Sequence, residues 1–211
     1  MGRSCQTLAL LVLATSALAT AQPDPFYGRV RGLVSGPYPS LRGADCLAID
    51  ASPDVVFRIL IAPERAAQWL LAAVPDVVPR KARYRRGPTA SAGETLTLDV
   101  DLVEGPRKIE LTVLAVIPGQ LVSLRITKDD AGVASGLSSL THTLYVEKDG
   151  NGGSDLWWAN HYDPETPFAA VSSLGAAGLK ERREAGLRYL KAIAEAAART
   201  PYPPLHDAPR K

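Results

Sequence analysis

One stretch near the C-terminus limits what this chain can become. Leu179–Arg199 has a helical period, with Leu179, Arg183, Gly186, Leu187, Leu190, Ile193 and Ala194 close to one stripe. Lys180, Glu181, Glu184, Arg188, Lys191 and Glu195 occupy the other side. Lys180–Glu184, Glu184–Arg188 and Lys191–Glu195 pair opposite charges four residues apart. Pro201, Pro203 and Pro204 end the helix. A helix with one apolar stripe must lay it on something. The residues before it read as strands, so the stripe is expected to cross a sheet. The expected architecture is a curved antiparallel sheet closed over by this helix, with a pocket between them.

The strands follow from alternation. Ala44–Asp50 reads as a first strand. Ser52-Pro53-Asp54 then starts a short helix, with Ser52 as N-cap and Pro53 at the first helical position. Pro63–Leu71 reads as a second short helix. Six more strands are expected at Arg80–Arg86, Glu94–Val103, Arg107–Ile117, Leu121–Lys128, Leu137–Lys148 and Ser154–Asp163. The links are of hairpin length, which predicts a meander, and Asp149–Gly153 is a strong turn signal. In the last strand, Leu156, Trp158, Asn160 and Tyr162 share one face, while Trp157, Ala159 and His161 share the other. A slip of one residue would put His161 where Asn160 is expected.

Four segments follow from composition. Met1-Gly2-Arg3, the apolar run Leu8–Leu18 and Ala19-Thr20-Ala21 read as an export signal over residues 1–21. The apolar run is short for a span of ~20 residues, and no Cys follows it, which argues against a lipoprotein. Cleavage near Ala21 predicts a periplasmic or secreted protein. Residues 22–43 are rich in Pro, Gly and Ser and read as an irregular arm. Residues 44–199 form one domain, and 200–211 a Pro-rich tail. Cys46 is then alone in the mature chain; a lone thiol in an oxidising compartment is expected to be buried.

The order of strand, two short helices, six strands and long helix resembles the START/Bet v 1-like (SRPBCC) superfamily. The resemblance is strongest to its polyketide cyclase/dehydrase and lipid-transport branch. It is carried by Ile49–Phe57 (IDASPDVVF), Pro63–Trp69 (PERAAQW), Gly93–Leu102, Leu140–Tyr145 (LTHTLY), Gly152–Tyr162 (GGSDLWWANHY) and Gly186–Ala194 (GLRYLKAIA). It covers about Ala44–Ala198. The implied fold is the α+β helix-grip fold, a seven-stranded antiparallel sheet wrapped around a long C-terminal helix. It also implies a cavity for a hydrophobic ligand. One departure is Ser172–Gly178, a poor helix former, which predicts a late start or a kink in the last helix.

Alternation places Leu96, Leu98, Val100, Ile109, Leu111, Val113, Val122, Leu124, Ile126, Leu140, Leu144 and Val146 on the concave face. One stripe covers only part of such a surface. The remainder either lines a cavity or packs solid, and the resemblance implies the cavity. The expected ligand-binding set is Trp69, Leu98, Val100, Leu111, Val113, Leu124, His142, Leu144, Trp158, Asn160 and Tyr162. His142, Asn160 and Tyr162 would form one polar spot that orients a ligand oxygen. His142 and Tyr162 are also the candidates for catalysis in a cyclase or hydro-lyase reading. Equally, His142 reads as a core histidine satisfied by a neighbour.

No cofactor or metal is expected. His142, His161 and His206 lack companions at ligand spacing, and no nucleophile elbow, phosphate loop or dinucleotide fingerprint is present. The formal net charge of +2 argues neither way, but no nucleic-acid motif accompanies it, so nucleic acid is not an expected partner. Arg80, Lys81, Arg83, Arg85 and Arg86 form one basic cluster. It reads as an edge strand guarded against pairing, with Asp99 and Asp101 across from it, or as a contact for anionic headgroups or an acidic partner. Three readings stay open: a carrier of a hydrophobic molecule or lipid, an enzyme, and an envelope interaction module.

Overall fold

A computed structural model describes residues 41–134, 137–164 and 173–200. The expected signal, most of the arm and all of the tail but Thr200, His206 included, lie outside the described residues. The elements run β1 (Leu41–Ile49), α1 (Pro53–Ile61), α2 (Pro63–Leu70), β2 (Val78–Tyr84), β3 (Thr95–Leu102), β4 (Gly105–Ile117), β5 (Leu121–Asp129), β6 (Leu137–Lys148), β7 (Ser154–Pro164) and α3 (Ser173–Arg199). This is the expected helix-grip fold. The seven strands pair antiparallel in the order β1-β7-β6-β5-β4-β3-β2. Thus β1 and β2 are the two edges, and α1 and α2 carry the chain from one to the other.

Each element has a local cause. Pro53 and Pro63 open α1 and α2, where a missing N–H costs nothing. Ser52 sits at the N-cap of α1, but its hydroxyl makes no capping bond. The carbonyl of Ile61 at the end of α1 accepts the Tyr84 hydroxyl of β2 at 3.0 Å. The β6–β7 hairpin is wound around Asp149, whose Oδ1 accepts the backbone N–H groups of Asn151 at 2.7 Å and Gly153 at 2.9 Å. At the β2 edge Arg83 pairs with Asp99, as alternation from Lys81, Arg83 and Arg85 suggested, whereas Asp101 is met by Arg80 instead of Lys81 or Arg85. Arg85 and Arg86 lie past the end of β2; their backbone N–H groups go to the buried carboxylate of Glu94 at 3.1 and 3.2 Å.

The long helix α3 is continuous from Ser173, so the expected late start is not seen. Its outer face carries the three expected ion pairs, Lys180–Glu184, Arg188–Glu184 and Lys191–Glu195. Its inner face buries Leu179, Leu187, Leu190 and Ala194. At Gly186 the helix lies close against the sheet. A Cβ there would stand 2.3 Å from Cζ3 of Trp158 and 2.7 Å from the carbonyl oxygen of Trp69. Trp158 and Trp69 are both fully buried and meet edge to face with centroids 5.0 Å apart.

Two expectations need correction here. Strand β1 begins at Leu41, so Gly43 belongs to the sheet rather than to the arm. Cys46 is exposed, not buried, because β1 is an edge and Cys46 faces away from α3's side of the core.

Gly186→Ala should therefore destabilise the protein by about 1–3 kcal/mol through overpacking, although alanine is the better helix former. Chemical denaturation of the two proteins checks this; an unchanged or raised midpoint would show that α3 does not rest on Trp158.

Candidate functional site

The site begins with three strands in register. Gly43 on β1 pairs with Asn160 on β7, and Asn160 pairs with His142 on β6. All three point toward α3. Gly43 has no side chain, and that gap is filled by Arg183 from α3. A Cβ at 43 would lie 2.9 Å from Nη2 of Arg183. The Arg183 guanidinium is buried, with Nε donating to Oδ2 of Asp45 at 2.6 Å and Nη1 donating to Oδ1 of Asn160 at 2.8 Å. The amide of Asn160 then lies 2.8 Å from Nδ1 of His142.

This chain of bonds fixes a tautomer. Arginine only donates, so the oxygen of Asn160 must face it. The NH₂ of Asn160 therefore donates to His142, whose Nδ1 must be the bare nitrogen. The remaining proton of the neutral ring sits on Nε2. Burial, then the charges of Arg182 and Arg183, push the imidazole down to about 3, so it is neutral near pH 7. His142 is thus a fixed hydrogen-bond donor. It has no bare nitrogen free to act as a base, which removes the general-base role considered from sequence. Among the described residues, nothing accepts from its Nε2.

His142 faces a small cavity. Its sheet wall is Leu98, Ile109, Leu111, Ile126 and Trp158; Leu70, Leu71 and Val74 close it from the α2 side. Val133, Leu140 and Leu179 complete the apolar lining, and His142, Asn160, Arg182 and Arg183 make the polar end. The void is about 20 Å³. One buried water needs about 10–15 Å³, so a larger guest must part the walls. The three non-glycine residues with positive φ in the described chain are Ala73, Asp76 and Ser139, at 59°, 59° and 56°. Ala73 and Ser139 adjoin the lining residues Val74 and Leu140. Backbone strain of about 1–3 kcal/mol per residue is thus held along the cavity's rim.

The expected set divides. Leu98, Leu111, His142, Trp158 and Asn160 line the cavity. Val100, Val113, Leu124 and Leu144 are buried in the solid core instead. Trp69, also in the expected set, lies in that core as well, held against Trp158. Tyr162 points inward but packs with Ala134, Leu140 and Leu179, apart from the His142–Asn160 pair. Arg182, Arg183, Asp45 and Gly43 were missed. The available signal was Arg183 itself, a charge on the apolar stripe of the helix.

The comparisons with known proteins agree with this fold. Protein CV1439 from Chromobacterium violaceum is 19% identical with a TM-score of 0.54, over 72% of this chain and 96% of its own. Major latex-like protein 151 from Panax ginseng is 11% identical with a TM-score of 0.53, over 75% of this chain and 99% of its own. Ara h 8.0201 is 10% identical with a TM-score of 0.57, over 73% and 97%. At these identities the likeness is one of fold. No curated protein matches the chain. Residues 47–195 match the family model described as polyketide cyclase / dehydrase and lipid transport, and the chain belongs to that family.

Proposed function

We propose that this is an exported protein that holds a hydrophobic small molecule or lipid between the sheet and α3, without covalent chemistry. The observation that carries this reading is a donor that no described residue accepts from, His142 Nε2–H, on a residue at the polar end of an apolar wall. A ligand oxygen placed there would accept from it, a net gain of about 0.5–1.5 kcal/mol. The apolar remainder of the guest would replace contacts that the lining residues now make with one another. Binding is then coupled to separation of Leu71 and Val74 from the sheet, where the strained backbone lies. The basic edge contributes less to this picture, because Arg80 and Arg83 are already matched by Asp101 and Asp99.

Native mass spectrometry of the protein purified from its own host should show a co-purifying apolar molecule and a mature chain beginning near Gln22. A bare, uncleaved chain in every preparation would count against both parts of the reading. His142→Ala should lose the ligand and about 1–3 kcal/mol of stability, since it strands the Asn160 amide. His142→Gln keeps an acceptor for Asn160; it should fold normally and retain less ligand. Unchanged retention in both variants would make His142 a core residue only.

Acid should act through the same ring. Its folded value of about 3 lies below the ordinary 6.5, so the unfolded chain takes up a proton that the native state refuses. This component of stability is complete above pH 6.5 and is lost as pH falls toward 3, at about 1.4 kcal/mol per pH unit. Denaturation midpoints across that range should fall more steeply for the wild type than for His142→Gln. Parallel curves would mean that His142 titrates normally.

A further inference from the structure

The polar end of the cavity is unbalanced in charge. Arg182 and Arg183 both line it, and among the described residues no Asp or Glu does. Arg183 is matched by Asp45 at 2.6 Å. Arg182 is not matched in this way. Its Nη1 donates to the carbonyl oxygen of Val133 at 2.5 Å, a neutral group. Among the described residues, no carboxylate lies within ion-pair distance of it. Asp129 and Glu181 act on it only through space. Asp129 already accepts the backbone N–H groups of Val133 at 3.1 Å and Ala134 at 2.7 Å. Burial lowers the proton affinity of Arg182 more than those two charges raise it. A guanidinium with open donor positions therefore faces the same small void as the unmatched Nε2–H of His142.

We infer that the ligand is an amphiphile with a single carboxylate, received by Arg182 and the Nε2–H of His142, its tail along Leu98, Ile109 and Leu111. This rests on the cavity-binding reading above and names the chemical class of its guest. The planar fork of arginine matches the two oxygens of a carboxylate, and the neutral imidazole adds a donor without adding charge. One cation lacks an ion-pair partner, so one negative charge balances the site. A dianion would leave a charge without a partner among apolar walls, which is costly.

The test is a matched pair of probes, decanoate and decan-1-ol, titrated into the full chain by calorimetry at low salt and neutral pH. Decanoate should bind at least about tenfold more tightly than the alcohol, as expected when a charge-assisted pair replaces a neutral one. Arg182→Gln should bring the two probes within about threefold of each other. Arg182→Lys, which keeps the cation and a donor for Val133, should retain most of the preference and serves as the folding control. Equal affinities in the wild type would overturn the carboxylate assignment while leaving the cavity reading intact. A preference that survives in Arg182→Gln would overturn the role of Arg182. Binding of neither probe would overturn the cavity reading and this inference with it.

Discussion

A guanidinium buried between a helix and a sheet is tolerated only if its donors are matched, because an isolated charge there is far more costly than the fold's own margin of stability. Arg183 meets that condition by reaching across to β1 and β7 at once. Asp45 supplies the counter-charge and the Asn160 oxygen supplies a neutral acceptor. The register of the two strands, the empty position at Gly43 and the angle of α3 over the sheet must all agree for those bonds to form. The ordering passes on to His142, which has no freedom left in its protonation. A single buried ion pair thus decides the chemistry of a ring that Arg183 is never seen to hydrogen-bond.

The cavity and the core grade into one another. Leu98, Leu111 and Trp158 belong to the main apolar cluster and also line the void. The wall is therefore as well packed as the interior, and only its polar end and its strained rim distinguish it. This arrangement suits a protein whose empty state must be stable on its own. Apolar side chains meet each other when no guest is present, and about 20 Å³ is all that remains between them. The His142 donor is present in that state as well.

Much of the fold was legible because strand alternation is a local property. Ile109, Leu111 and Val113 on one strand, and Leu156, Trp158 and Asn160 on another, take the face that a period of two assigns them. The phase of β7 was also enough to bring Asn160 and His142 together. What could not be read was long-range. Gly43 looked like part of an irregular arm, because its purpose is space for a residue 140 positions away in the last helix. Arg183 stood out as a charge on an apolar stripe, but its partners appear only once β1 is paired with β7. Val100, Val113, Leu124 and Leu144 share the inward face with the cavity residues, and no pattern along the chain tells a packed position from a lining one. The family match over residues 47–195 leaves out Gly43 and Asp45, so membership would not have supplied them either.

The pairing of first strand with last has a consequence for biogenesis. Asp45 and Arg183 are 138 residues apart, and among the described residues β1 pairs only with β7. A growing chain therefore carries its earliest strand without a neighbour until nearly the whole domain has been made, and contacts this distant in sequence close slowly. Completion of the grip waits for α3, which brings the Arg183 cation that pairs with Asp45. A polypeptide cut short before that helix keeps an acidic group beside an open strand edge, a form suited to recognition by chaperones and proteases rather than to ligand capture.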